Sequence, residues 1–399
     1  MDFKRTDGEL TIFLEGRIDA GNAVDAEKNF KSIIAENPAD RIIFDADKLI
    51  YIASAGLRTL MKIRKFAKKD ITVENASKEI YDIFEMTGFT NMFEVRKKLR
   101  EISIDGCPQV GTGLSSKVYR LDPETIVKVY DEKVPLYKIT REIDLAKKSF
   151  LAGLPTAISF DMVKCGSAYG VVFEMIADAV TVGDALMAEN GAHFGEIMKK
   201  FAALMRQMHS TKVDAAAGFP SIKGTWLDWA EGMKKYYTAA EFDMLREMIS
   251  AVPERETIVH CDFHAGNTLY QNGEVVVIDM ADVGYAHPVF DFATGAFHSL
   301  NSDKDYIQSS LSLSQEYIVK FFDRLLAEYF QTEDKAELDA LKETFKAFAF
   351  LRGALFPMKH VQISEDRKLF FVETARKTLF PNFKWALAQA QRLEKIFRQ

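Results

Sequence analysis

A two-residue turn in the second half of the chain constrains what it can fold into more than any other stretch. Asn272-Gly273 separates Thr268-Leu269-Tyr270-Gln271 from Glu274-Val275-Val276-Val277-Ile278, and Asn-Gly between β-branched and aromatic runs specifies a tight β-hairpin. With 271 facing 274 and 270 facing 275, position 267 faces 278 and 266 faces 279. Asn267 and Asp279 are then diagonal neighbours, roughly 5–8 Å apart between their carbons, close enough to share one metal ion. Asp262 begins the same loop, in His260-Cys261-Asp262-Phe263-His264-Ala265-Gly266-Asn267. An Asp, an Asn five residues later and a second Asp after a hairpin supply a base for a hydroxyl and two hard oxygen ligands for Mg²⁺. The competing chemistry is a metallohydrolase site built from His260, Asp262 and His264. Two histidines four apart share a face only on a helix, however, and strands flank this loop, with no Glu placed as in His-Glu-x-x-His. Cys261 is expected to pack behind the loop.

Upstream, a strand leads into Gly111-Thr112-Gly113-Leu114-Ser115-Ser116, and strands over 117–121 and 125–130 follow. No Gly-Lys-Ser/Thr follows, so this is not a Walker A loop; no helix follows, so it is not a dinucleotide fingerprint. It reads as a hairpin whose backbone amides could cover phosphates, or as a plain hairpin. Lys128 shares a strand face with Ile126 and Tyr130, an apolar setting in which an ammonium needs an anionic partner. The next helix, from near Pro135 to Gly153, offers one: Ile139, Ile143, Ala146 and Phe150 form its expected buried stripe, and Glu142 lies within it, at its edge. A strand Lys paired to a helix Glu is the arrangement that orients nucleotide phosphates in kinase-like folds.

With these residues in place, the chain from about Gly106 onward resembles the aminoglycoside phosphotransferase and choline kinase family, which has the protein-kinase-like fold. The resemblance implies Asp262 as catalytic base, Asn267 and Asp279 as Mg²⁺ ligands, and Lys128 with Glu142 as the phosphate-orienting pair. It places Gly111, Gly113 and Ser115 over the ATP phosphates. Val172-Phe173-Glu174-Met175-Ile176 becomes the link between lobes, with the backbone at Glu174 and Ile176 bonding adenine. His260 and Asp291, the latter after His287-Pro288, would support the catalytic loop; Asp282 would help the metal site or cap a turn. Ser116 stands where protein kinases carry a third glycine.

The first hundred residues follow a different pattern. Leu10, Ile12 and Leu14 alternate as a strand; Ala26, Phe30, Ile33 and Ile34 make a helical stripe; 41–45 is a short apolar strand. A helix following Ser54, a strand at 71–73 and a helix around Ile80, Ile83 and Phe84 complete a βαβαβα series. Ser54 is expected to cap its helix, where a phosphate would also meet free N–H groups and the positive end of the helix dipole. Gly16-Arg17-Ile18-Asp19, Asn22, Ser54-Ala55-Gly56-Leu57-Arg58 and Phe84-Glu85-Met86-Thr87-Gly88-Phe89 make this segment resemble the STAS domain of anti-sigma factor antagonists. In that family the serine matching Ser54 is phosphorylated by a partner kinase and switches protein binding. The residue before it is often Asp there and is Ala53 here.

The expected fold is therefore an α/β STAS-like module over 1–103, then an α+β bilobal protein-kinase-like fold over 104–399, with a small lobe to about 176 and a large lobe from about 177. Hydrophobic residues at 48% and charged ones at 28% suit a folded chain and exclude disorder. No charge-free run reaches the 18 or so residues of a membrane span, and residues 1–7 are too polar for a secretory signal. A net charge of −6 argues against nucleic acid or anionic membrane as partners. Cys107, Cys165 and Cys261 are too scattered for a disulfide framework or a zinc knuckle, which fits a cytoplasmic enzyme. The Met-rich stripe from Phe194 to Met208 is read as packing. Trp226, Trp229, Tyr236 and Tyr237 are read as core, with an acceptor pocket as the alternative. The expected reaction moves the γ-phosphoryl group of ATP to a hydroxyl of a small molecule or protein, with Mg²⁺. The rival is a nonenzymatic adaptor in sigma-factor-type signalling that uses ATP binding as a switch. Either way the N-terminal module would engage a protein partner.

Overall fold

The computed structural model describes residues 1–6, 8–113, 115–300, 303–359 and 363–398; Leu114, in the loop expected to cover phosphates, lies outside them. The chain divides into two compact units, Met1–Ile102 and Ser103–Gln399, each with its own apolar core.

The first unit runs β1 (Phe3–Thr6), β2 (Glu9–Ile18), α1 (Ala23–Glu36), β3 (Arg41–Ile52), α2 (Ser54–Ala67), β4 (Ile71–Ala76), α3 (Lys78–Met86), β5 (Glu94–Lys97) and the short β6 (Arg100–Glu101). The first five strands form one sheet in sequence order. β1 pairs antiparallel with β2, and the rest are parallel. Alternation in β2 buries Leu10, Ile12 and Leu14, and Phe30 of α1 meets Phe44 of β3 edge to face at 4.9 Å. Gly56 lets α2 lie close on the sheet: a Cβ there would come within 2.8 Å of the Ile18 carbonyl oxygen and of the Ile52 side chain.

The expected cap at Ser54 is corrected. Ala53 holds the N-cap position, with φ −88° and ψ 170° and no side-chain cap bond, and Ser54 is the first helical residue. Residue type alone favours Ser as cap, but the chain leaves β3 one residue earlier. Ser54 is exposed. A cap of the expected kind does occur one helix later, where the Ser77 hydroxyl accepts from the Ile80 N–H.

In the second unit β7 (Gln109–Thr112), β8 (Ser116–Arg120), β9 (Thr125–Tyr130), β10 (Ser159–Cys165) and β11 (Ala168–Glu174) are antiparallel, paired in the order β7, β8, β9, β11, β10. α4 (Leu136–Leu151) follows β9. Its buried face differs from the expected stripe: Ile139, Glu142, Leu145, Ala146 and Ser149 are buried, whereas Phe150 is 46% exposed. The rotation moves Glu142 from the edge of the stripe to its middle. Beyond residue 180 the unit is mostly helical. Ile197, Met198, Phe201, Leu204, Met205 and Met208 are buried in the helix Phe194–Ser210, as packing residues. Trp226 is fully buried, and the Tyr237 hydroxyl donates to the Ala354 carbonyl inside the core.

Candidate active site

Three distant segments meet at Lys128. Its Nζ lies 2.7 Å from Glu142 Oε1 and 3.0 Å from Asp279 Oδ1. β9 presents the lysine, the middle of the buried face of α4 presents the glutamate, and the end of the hairpin presents the aspartate. Burial lowers the affinity of Lys128 for its proton, but Asp279 and Glu142 outweigh it and hold the ammonium well above its ordinary value. The ammonium is thus held charged between two carboxylates.

The hairpin has the register its turn dictates: Gln271 pairs with Glu274, Tyr270 with Val275 and Thr268 with Val277, and the Ile278 N–H donates to the Asn267 carbonyl at 3.0 Å. Asp279 follows in the left-handed region at φ 61°. Asn267 Nδ2 donates to the Asp262 backbone oxygen at 3.1 Å and to its Oδ2 at 3.2 Å. With the amide nitrogen spent on Asp262, Asn267 has its Oδ1 to offer a cation. Gly266 is required here, because a Cβ would stand 2.0 Å from the Ser310 carbonyl oxygen.

The loop is braced on both sides. Asp291 Oδ2 accepts from the His260 N–H at 2.9 Å and Oδ1 from the Cys261 N–H at 2.6 Å, while His209 Nε2 sits 3.0 Å from Oδ2. Cys261, buried behind the loop as expected, has φ 63°, and its carbonyl accepts from Thr294 Oγ1 and Arg352. His260 Nδ1 accepts from the Asp262 N–H, which leaves Nε2–H to donate to the Ile278 carbonyl. Both ring nitrogens of His260 are therefore committed inside the chain, which removes it from the metallohydrolase alternative. His264 Nδ1 accepts from the Gly266 N–H, and its Nε2 faces Asp262 Oδ2 at 3.6 Å. Among the described residues no three His, Cys, Asp or Glu side chains converge as a protein-only metal cage would.

Two cations at Asp262 were missed from the sequence. Arg352 Nη2 lies 3.1 Å and Lys359 Nζ 2.7 Å from Asp262 Oδ1, and Lys359 also reaches Asp282 Oδ2 at 3.0 Å. Burial pushes the Asp262 carboxyl up, but Lys359, His264 and Arg352 together hold it well below the usual carboxylate range. Arg352 lies in Ala347-Phe348-Ala349-Phe350-Leu351-Arg352-Gly353-Ala354-Leu355, where one charge in an apolar helix is the signal that could have found it.

The remaining expected residues are less sharply placed. The Gly113 N–H donates to the Ser116 carbonyl at 2.8 Å, and the Ser115 carbonyl accepts from the Asp131 N–H, so the Gly113 amide is spent inside the hairpin. The Glu174 N–H donates to the Ile158 carbonyl; the backbone group Glu174 can offer a base is its carbonyl. The Ile176 carbonyl accepts from the Ala179 N–H at 3.4 Å, so an adenine contact there would use the Ile176 amide.

Among solved structures, the gentamicin complex of APH(2″)-IIa is 16% identical, with 76% of this chain and 97% of that one covered and a TM-score of 0.47. A choline/ethanolamine kinase family protein from Mesorhizobium loti is also 16% identical, with 71% and 92% covered and a TM-score of 0.47. Among curated proteins, BtrV of Bordetella bronchiseptica, named as a candidate anti-sigma factor antagonist, is 27% identical over 94 residues, 23% of this chain and 80% of that protein. A family model for the STAS domain matches residues 1–102, and the model described as "Phosphotransferase enzyme family" matches residues 106–343. With more than half of its length so matched, the chain belongs to the phosphotransferase enzyme family and carries a STAS domain at its N-terminus.

Proposed function

We propose that residues 103–399 move the γ-phosphoryl group of ATP to an alcohol hydroxyl, and that the STAS domain regulates this by binding a protein partner. The observation that carries the reading is the convergence of Lys128, Glu142 and Asp279, contributed by a strand, a helix and a hairpin, with Asp279 151 residues beyond Lys128 in sequence, beside a loop that offers Asp262 and Asn267.

In this reading Lys128, locked by Glu142, holds phosphate oxygens of the nucleotide. Asn267 Oδ1 and the Asp279 carboxylate are a hard oxygen pair of the kind that binds Mg²⁺ together with nucleotide phosphates and water, rather than in a closed protein cage. Bound there, Mg²⁺ would offset phosphate charge during transfer. Asp262 accepts the hydrogen bond of the acceptor hydroxyl and aligns its oxygen with the γ-phosphorus. Its depressed proton affinity makes it a weak base, which suits a transfer in which positioning and charge stabilisation supply most of the rate and the proton leaves late. Asp291, Thr294 and Arg352 fix the backbone that carries Asp262. The Glu174 carbonyl and the Ile176 amide would bond adenine. Ser54, exposed in the first turn of α2, is the site where the regulatory domain would take a phosphate from another kinase.

Incubating the full chain with Mg·ATP and a panel of hydroxylated small molecules and candidate proteins, and following ADP release against an Asp262→Asn control, tests the reading. Acceptor-dependent ADP release lost in the variant is expected. ATP binding with no turnover on any acceptor would favour the adaptor reading instead.

A further inference from the structure

Three helices of the second unit, Val289–Ser299, Lys335–Leu355 and Glu365–Thr378, leave between them a cavity of about 410 Å³, a size typical of small-molecule sites. Its lining includes none of Asp262, Lys359 and Arg352, so it is a place apart from the loop that carries Asp262. We propose that this cavity binds a neutral, apolar small molecule. Ala349, Gly353 and Ala354 on the second helix and Ala375 on the third line the space without filling it. Phe297, Phe350, Phe370 and Phe371 give it ring surface, which packs well against aromatic or aliphatic bodies.

The polar groups of the lining argue against a charged or hydroxyl-rich occupant, because they are spent on one another. Among the described lining residues two are charged, Asp303 and Arg367, and they face each other at 3.9 Å. Asp303 Oδ1 also accepts from the Tyr306 N–H at 3.1 Å, and the Arg367 guanidinium lies over the rings of Phe370 and Phe371 at 5.6 and 5.7 Å. An ion entering here would give up its hydration beside a pair that already cancels. The hydroxyls of Thr374 and Thr378 donate at 2.8 Å to the Phe370 and Thr374 carbonyls, so neither has a proton left for a ligand. What the cavity offers is burial. Leu300 and Phe370, both in its lining, are 50% and 57% exposed, and an apolar occupant would cover part of them. Phe297 also lies under the Arg352 guanidinium at 5.9 Å, so the occupant would rest against the side chain that backs this arginine.

Calorimetry on the full chain, with no nucleotide present, tests the proposal with acetophenone, propiophenone and butyrophenone. These neutral probes differ by one methylene at each step and carry no hydroxyl to phosphorylate. Binding at millimolar concentration is expected, about three- to fourfold tighter with each methylene. Benzoate and benzylammonium should bind about tenfold more weakly than acetophenone. Thr374→Phe, at a half-buried position in the lining, should fill the space and weaken butyrophenone about tenfold. Gly353→Ala is the milder variant: its Cβ would meet the Phe297 ring at 3.5 Å, an ordinary contact, so the chain accommodates it while butyrophenone affinity falls severalfold. The proposal is overturned by absence of binding at millimolar concentration, by affinity that stays flat along the series, or by benzoate or benzylammonium binding as tightly as acetophenone. Unchanged butyrophenone affinity in both variants overturns it too. The measurement uses neither ATP nor an acceptor, so its outcome is independent of the phosphotransferase reading.

Discussion

In the proposed reaction Asp262 must combine an edge exposed enough to meet an acceptor with a carboxylate held ionised. Lys359 and Arg352 meet the second by outweighing burial. The sign follows from the depressed value: the ion-paired carboxylate contributes stability at pH above the ordinary aspartate value of about 3.9, and that contribution is lost as pH falls through the lower folded value. An acid limb in kcat/KM caused by Asp262 should therefore lie below pH of about 3.9, and Lys359→Gln should move it upward; an unmoved limb in a stopped-time pH series would separate Lys359 from the ionisation of Asp262. Asp262→Asn should cost orders of magnitude in transfer while leaving nucleotide affinity near that of the unmodified chain, since the carboxylate serves the acceptor. Arg352→Met should lower stability by about 3–5 kcal/mol, because it strips a partner from a buried charge and a donor from the Cys261 carbonyl; chemical denaturation measures this. Asp262 was legible because loop residues with chemistry to do stand out in a β context. Lys359 and Arg352 were not, because they come from 90 or more residues away in sequence and no local period marks a contact made only by the fold.

At the level of elements, the site depends on where secondary structures end. The hairpin was legible to the residue, since Asn272-Gly273 fixes its turn and the turn fixes its register; the same arithmetic put Asn267 beside Ile278 and Asp279. The helix N-terminus at Ser54 was not, because a cap is defined by backbone angles at Ala53 and the sequence shows only that a good capping residue is near. Glu142 fell between: its helix was legible, but a stripe drawn through Phe150 put it at the edge, and only Leu145 and Ser149 in the buried face centre it. Because Lys128 and Glu142 sit on different elements and touch, their removals should not add. Lys128→Met and Glu142→Gln should each slow transfer and raise the ATP requirement, and a double-mutant cycle should show a coupling of about 1–3 kcal/mol. Additive losses would mean the two act apart. Gly266→Ala should act through backbone alone: its Cβ would collide with the Ser310 carbonyl, so Asn267 must shift, and both melting temperature and Mg·ATP affinity should fall together.

At the scale of the whole molecule, two compact units share one chain, and each has a pattern that can be read separately: βαβαβα with alternating strands in the first hundred residues, hairpins and long helices after it. That division was legible from the change of period near residue 100. Its thermodynamic consequence concerns where a ligand acts. A molecule that binds only the folded form of one unit stabilises that unit by about RT ln(1 + [L]/Kd), roughly 2.7 kcal/mol at a hundredfold excess over Kd. Lys128, Glu142, Asn267 and Asp279 all lie in Ser103–Gln399, so Mg·ATP should raise the unfolding temperature of that unit. The core built on Leu10, Phe30 and Phe44 has no share in those four residues, and its unfolding should stay in place. Two-domain chains are not two-state, so the scan should resolve two transitions. Differential scanning calorimetry of the full chain with and without Mg·ATP reads both, and Asp279→Asn should abolish the shift. A ligand shift of equal size in both transitions would mean that the units unfold as one, and would place the regulatory coupling in a shared folding equilibrium instead of in a partner bound to the STAS domain.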